Sequence, residues 1–564
     1  MKYELINPNV DGKDIVTLVF ENRGISKEQM FDYIDCDKDY RSNPFDFTNM
    51  DKAVEKIKHH IESKSKFGIL MDCDCDGAMS ATGMYKLLKM LDNECSIKFF
   101  IHKEKRHGIT DCIMEELSNT DIDILIIPDA GSNQVEELLK VKEMGIDILV
   151  VDHHEAEYTD EVLIVNCQYD NINKDLSGGA MVVKLAEAIL GEQAKQLNYI
   201  AAISIISDNM SMNNLENRYY VKHGLRNIKN KLINKATENK LEISSRDVSY
   251  NISPMINAII RMGDVNEKLI MINALCGIDG KIELPTRKNG KKTEIYDLVD
   301  ATIKISKWKK DDQKKIVDEE VSKIDFLHNN PINIINLEDS FNRSISGYFA
   351  NVVSSKNLKP TLALFYDEDD DCYRGSARGA NVPEFKNFLM NTNLFNDCEG
   401  HQGAFGVDIS SENLNKLVES MNSMKLPTET TYLVDKIINS DEVDRDEISA
   451  IYSLQSIWGK GIEKPEFVIK LKDVAISFMG AHQNTLRIFK GGITYIKFNC
   501  NEEEVRRLKA LKGNRDMEIL GQFDINVFNG RTNYQVLIKD YNISEETKEY
   551  DMFGDEDSDF YDLF

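Results

Sequence analysis

Acidic side chains close one short apolar run after another in the first half of this 564-residue chain. FGILM leads into Asp72, Asp74 and Asp76, IDILIIP into Asp129, and IDILVV into Asp152, His153 and His154. A fourth station is Asp208, after IIS. The first three runs are short, β-branched and apolar on both faces, as strands buried in a parallel sheet are. In an open α/β sheet the carboxyl ends of such strands meet at one crevice, where ligands bind. Carboxylates crowded there repel one another, and divalent cations are the simplest remedy. Carboxylate oxygens with imidazole suit Mn²⁺ or Mg²⁺ better than a thiolate-seeking metal. The expectation is a hydrolase built on two metal ions.

Length calls for three or four domains, because single cores stop growing beyond roughly 250–300 residues. A hydrophobic content of 42% and a charged content of 29% are ordinary for a soluble globular protein. No apolar run approaches the roughly 18 residues of a membrane helix, and MKYELINPNVDGKD lacks a signal-peptide core. The ten cysteines include no CxxC pair, which fits free thiols in a reducing cytoplasm. Cys73 and Cys75 alternate with the aspartates in a way that does not suit a thiolate zinc site. A net charge of −26 argues against coating nucleic acid by bulk attraction. It leaves room for a nucleic-acid enzyme with metal ions and a local basic groove.

Residues 1–50 read as a mixed N-terminal segment with one short helix in RGISKEQMFDYI. Over 51–275, strands at 67–71, 97–102, 122–128 and 146–151 alternate with helices at 78–91, 111–117 and 133–144. That alternation predicts a doubly wound parallel sheet, followed by a helix-rich stretch. Residues 276–325 form a basic, partly helical connector with Lys288, Lys291, Lys292, Lys307, Lys309, Lys310, Lys314 and Lys315. A solvated helix face and the wall of a nucleic-acid channel are equal readings of it. A second, smaller α/β domain is expected over 326–424. Five short strands over 425–545 predict a β-barrel of the OB type, and 546–564 make an acidic tail.

Taken in order, DCDCDG, PDAG, DHH and ISDN resemble the DHH phosphoesterase superfamily. Each is weak alone; the ordered set, at strand ends and helix starts, is specific. RHGIT (106–110), LSGGAMVVK (176–184), SPMINAIIRMG (253–263), YRGSAR (373–378) and GHQGAFG (400–406) are similar to RecJ exonuclease segments. WGKGIEKPEF (458–467) and NVFNGRTNYQV (526–536) resemble that family's OB-like region, so the resemblance runs from Arg23 to Tyr541.

This resemblance implies that Asp74 and Asp76 are metal ligands, that Asp129 bridges two ions, and that His153 and Asp208 complete the second site. His154 would meet the scissile phosphate, Asp152 would orient the histidines, and Asp72 would be a ligand or position its loop. Gly77 would let the loop turn tightly and open a helix toward phosphate. Arg261 would touch substrate phosphate, and Ser376, Arg378 and His401 would hold a 5′-phosphate and backbone. Read without the resemblance, Ser376 fits a turn cap, His401 a core histidine and Arg261 a structural ion pair. The chain departs from the family at Glu399-Gly400 (a double glycine there), at Phe405 (a small residue) and at Asn342 (commonly histidine).

The resemblance further implies a monomeric 5′→3′ exonuclease for single-stranded DNA, releasing 5′-mononucleotides with two Mn²⁺ or Mg²⁺ ions, in repair, recombination or replication. A phosphodiesterase for short oligoribonucleotides or cyclic dinucleotides is one competitor. A non-catalytic replication scaffold is another, although that branch has lost ligands present here. The ending DEDSDFYDLF resembles the acidic tails of bacterial single-stranded-DNA-binding proteins and implies docking of Phe564 on a repair or replication protein. A solvating tail is the alternative.

Overall fold

The computed structural model describes residues 1–8, 12–240, 243–286, 292–326, 330–421, 424–427, 431–511, 513–528 and 530–544. Lys288 and Lys291 of the connector, and the acidic tail from residue 545, lie outside the described residues. The chain divides into two compact units: Lys27–Thr430 with Ser456–Glu463, and Met1–Ser26 with Thr431–Gln455 and the residues from Lys464 onward.

The larger unit opens with a parallel sheet of five strands: β1 (Lys66–Met71), β2 (Ser96–Ile101), β3 (Ile124–Pro128), β4 (Asp147–Asp152) and β5 (Ile164–Asn166). Their spatial order is β2-β1-β3-β4-β5. The chain steps from β1 to one side for β2 and returns to the other side for β3, so the switch point lies between β1 and β3. The run Phe67–Met71 and all of β3 are buried, as their apolar composition requires. One face packs on α1 (Met50–Glu62), α2 (Cys75–Leu91) and later helices, the other on α3 (Asp111–Ser118) and α4 (Val135–Glu143). Helices α5 (Gly178–Leu190), α6 (Asn198–Ser207), α7 (Ser253–Met262) and α8 (Val265–Cys276) are among those that follow.

The connector folds as a hairpin, Lys281–Pro285 with Thr293–Asp297, and a long helix, α9 (Leu298–Val321). Its lysines are divided: Lys307, Lys310, Lys314 and Lys315 are exposed, whereas Lys309 pairs with Glu267 at 2.7 Å. A second sheet follows, with β6 (Asn333–Asn336), α10 (Ser346–Asn357), β7 (Thr361–Asp367), β8 (Cys372–Arg378), β9 (Asp397–His401) and β10 (Ala404–Ser410). Its order is β9-β10-β8-β7-β6, antiparallel except for the β6–β7 pair.

The smaller unit carries a mixed seven-stranded sheet in the order Lys436–Asn439, Phe467–Val474, Arg515–Phe528, Arg531–Ile543, Ile493–Lys497, Thr485–Lys490 and Ser477–Met479.

Two expectations change, and one strand carries no sequence signal. Residues 1–50 are not a segment of their own: Lys2–Leu5 pairs in parallel with Thr431–Val434, and Arg23 forms a buried ion pair with Asp435 at 2.7 Å. WGKGIEKPEF divides between the units, because buried Ile457, Trp458 and Ile462 anchor its first half in the larger one. Strand β5 has only three residues, too few for a periodicity signal.

Candidate metal centre

Asp74 caps α2, its Oδ1 accepting from Gly77 N at 2.9 Å. Gly77 is required because a Cβ there would lie 2.6 Å from Asp72 Cβ. Asp76, in the first turn, accepts from Gly178 N and Gly179 N, both at 2.9 Å. The amino end of α5 is thus aimed at a carboxylate. Asp129 follows β3 with φ +69° and is tied by its N–H to Val151 O at 2.9 Å.

His153 gathers these groups. Its Nε2 lies 3.2 Å from Asp129 Oδ1, 3.7 Å from Asp208 Oδ2 and 3.9 Å from Asp76 Oδ2. Three overlapping sets of potential ligand atoms result: Asp129, His153 and His154; Asp76, His153 and Asp208; Asp72, Asp74 and Asp129. Burial and neighbouring carboxylates push the Asp74 carboxyl up, the Asp129 carboxyl well above its ordinary range, and Asp208 to about 8.

Among the described residues, Asp129 Oδ1 is buried without a hydrogen-bond partner, the nearest ring nitrogen being His153 Nε2 at 3.2 Å. A buried carboxylate oxygen left so is costly, and a cation would satisfy it. The donor set, carboxylate oxygen with one imidazole, fits Mn²⁺ or Mg²⁺. Cys73 and Cys75 do not compete: burial pushes their thiols up, to about 11 and about 12.

Asp152 sits behind the histidines. It accepts from His153 N at 2.7 Å, Ser132 N at 3.1 Å and His154 Nδ1 at 2.8 Å. Burial alone would raise its carboxyl, but the His154 bond and the two imidazoles hold it well below the usual range. The same bond pushes His154 up to about 9. Asp72 accepts from His107 Nδ1 at 2.7 Å and Gly108 N at 3.3 Å, so both its oxygens hold the loop after β2.

Arg261, in the last turn of α7, lies within Coulombic reach of Asp74 and of Arg378 on β8. Arg378 lies over the amino end of α10, where a Cβ on Gly347 would meet its Nη2 at 2.5 Å. Ser376 Oγ is 2.9 Å from Ser346 Oγ in the first turn of α10. His401 is exposed, in register with Ala404, which is itself in register with Arg378. Asn342 caps the turn before α10 and reaches the Arg261 main chain at 3.5 Å. Arg261 is therefore within Coulombic reach of both Asp74 and Arg378, while Ser376 and Arg378 share a strand over the amino end of α10 and His401 lies in the row of Arg378.

Over 572 aligned residues, 95% of this chain and 97% of the relative, the sequence is 31% identical to YorK of Bacillus subtilis (strain 168), named as an SPbeta-prophage-derived single-strand DNA-specific exonuclease. The chain belongs to the RecJ-like members of the DHH family. Models of the DHH family's N-terminal domain and of the RecJ OB domain match residues 66–207 and 434–540. Another relative, the single-stranded-DNA-specific exonuclease RecJ of B. subtilis, is 24% identical over 89% of this chain and 64% of its own length. The crystal structure of RecJ in complex with Mn²⁺ from Thermus thermophilus shares the fold. Its TM-score is 0.69 at 16% identity, covering 94% of this chain and 76% of that one.

Two residues around this candidate centre escape motif reading. Lys105 lies within Coulombic reach of Arg261, Asp74 and Asp72, one position before the RHGIT segment. Buried Lys268, on α8, donates to His102 O at 2.8 Å and Lys103 O at 3.0 Å, pinning the same loop. Only the RHGIT motif hinted at this loop.

Proposed function

We propose that the chain is a RecJ-type exonuclease that hydrolyses single-stranded DNA from the 5′ end to 5′-mononucleotides, using two Mn²⁺ or Mg²⁺ ions, in repair, recombination or replication. The observation that carries this reading is the gathering of Asp129, Asp208 and Asp76 oxygens at 3.2, 3.7 and 3.9 Å from His153 Nε2, with Arg261 within Coulombic reach of Asp74 and of Arg378.

Asp74, Asp76, Asp129, His153 and Asp208 would hold the ions. When bound, the pair supplies charge neutralisation and Lewis-acid polarisation of the phosphoryl group. The remaining work falls to side chains. Asp152 orients His154 through its Nδ1 and favours the protonated ring, which would stabilise negative charge developing on phosphoryl oxygens. Arg378, Ser376 and the amino end of α10 form an anion cradle suited to a terminal phosphate. A chain end held there, with the bond to be broken at the carboxylates, accounts for removal of one nucleotide at a time and for 5′ polarity.

The smaller unit supports a single-stranded substrate by its own surface. Phe489 is 62% exposed with the Arg487 guanidinium 6.0 Å from its ring centre, and Phe498 is 57% exposed. Open ring faces beside cations are suited to stacking unpaired bases and following a backbone. Among the described residues, no helix is long and apolar enough to cross a membrane.

Incubation with end-labelled single-stranded DNA and RNA, with and without Mn²⁺, tests reaction, polarity and sugar preference together. Metal-dependent release of the 5′ label as a mononucleotide is the expected result. Release from the 3′ end, or cleavage of dinucleotides alone, would overturn the reading.

A further inference from the structure

Residues Gly459–Ile462 form a tight turn closed by Gly459 N to Ile462 O at 2.9 Å and Ile462 N to Gly459 O at 3.1 Å. Its flanks are pinned: Ile457 and Ile462 are buried, and buried Arg218 donates from Nη1 to Ile457 O at 3.0 Å. Its tip is pinned as well, since Lys460 O accepts from Met212 N at 2.7 Å. Glycine on both sides permits that approach. A Cβ on Gly459 would meet Met212 Cγ at 2.6 Å, and one on Gly461, at φ +83°, would meet Ser211 Oγ at 2.9 Å.

Ser211 and Met212 belong to the loop that begins at Asp208, the C-cap of α6. A segment roughly 250 positions further along the chain is thus laid against the edge of the candidate metal centre. The side chain it displays there is Lys460, exposed and without a carboxylate at salt-bridge distance among the described residues. The Lys460 charge nonetheless reaches Asp208, opposing the burial and the Asp76 and Asp74 charges that push that carboxyl up.

We propose that Lys460 is a substrate-contacting residue that holds a backbone phosphate adjacent to the cleaved bond, on the Asp208 side of the centre. Arg261 and Arg378 serve the Asp74 side. The inference rests on the exonuclease reading and deepens it. A nucleic acid crossing the centre carries a further negative charge beyond the bond broken, and a cation there holds the strand in place. An ammonium acts as a point charge without demanding a particular base, and the rigid turn limits the ordering needed to present it.

The test compares the full-length wild type with Lys460→Gln and Lys460→Arg, in Mn²⁺. The substrates are a 5′-phosphorylated single-stranded oligonucleotide and the p-nitrophenyl ester of thymidine 5′-monophosphate, which has no neighbouring phosphate. In Lys460→Gln, KM for the oligonucleotide should rise about tenfold relative to that for the ester. The slope of log(kcat/KM) against log salt should flatten by about 0.7, the share of one phosphate contact on a single strand. Lys460→Arg should restore both. Equal loss on the two substrates would place Lys460 at the metal centre and overturn the inference, as would an unchanged KM and salt slope. An inactive wild type would overturn the exonuclease reading, and this inference with it; an active wild type matched by Lys460→Gln overturns this inference alone.

Discussion

Gly178 and Asp129 lie so close that a Cβ on the glycine would stand 2.2 Å from the carboxylate Oδ1. The same glycine donates its N–H to Asp76. A methyl group here cannot be accommodated without moving Asp129 off His153. Gly178→Ala is therefore expected to lower activity about a hundredfold, as small displacements in a catalytic constellation do. Calorimetric titration with Mn²⁺ should show weakened uptake, while circular dichroism stays unchanged.

Removing Asp129 itself separates chemistry from binding. Asp129→Ala should abolish cleavage, by about a thousandfold or more, while fluorescence anisotropy still reports binding of single-stranded DNA. Full activity in this variant would refute the ligand assignment. Chelation of metal from the wild type should give the same division between cleavage and binding.

The anion cradle on the second sheet makes a different forecast. Arg378→Ala should raise KM for a 5′-phosphorylated strand by about 10- to 100-fold and leave 5′-hydroxyl strands little changed, erasing the preference between them. Lysine should restore only part, because it lacks the planar fork that grips phosphate bidentately.

A stability effect is expected at the opposite end of the first sheet. Asp147 accepts from Lys56 and from His60 Nε2. Burial would raise its carboxyl, but the Lys56 and His60 bonds win and hold it below its ordinary value. A depressed carboxyl adds stability above the unfolded-state value near about 3.9, and that stability is lost as pH falls through the folded value. Solvent screens the pair, so the contribution is on the order of 0.5 kcal/mol. Thermal melts of Asp147→Asn from neutral to acid pH should show a shallower acid limb than the wild type.

The first sheet and its carboxylates were legible because composition and function coincide there: Phe67–Met71 and Ile124–Pro128 are buried on both faces, and the acids end the runs. The sequence left Asp72 open between ligand and loop anchor; His107 and Gly108 occupy its oxygens, although it also falls in one potential ligand set. Nothing in VNEKLIMINAL marks Lys268, and only tertiary packing reveals it as a buried donor to two carbonyls. Lys460 was invisible as a site residue because its neighbour Asp208 is so distant in sequence. Lys2–Leu5 was missed for a similar reason, since four residues of mixed polarity carry no period until Thr431–Val434 is beside them.

That last pairing bears on how the molecule is made. The partner of Lys2–Leu5 leaves the ribosome more than 400 residues later, by which time the intervening chain can have folded as a unit. The opening strand must wait with its ladder groups unsatisfied, and the long loop to be closed slows their capture. Removing Lys2–Leu5 should then spare the speed of early collapse and instead leave Thr431–Val434 without its ladder partner, an unpaired strand open to self-association.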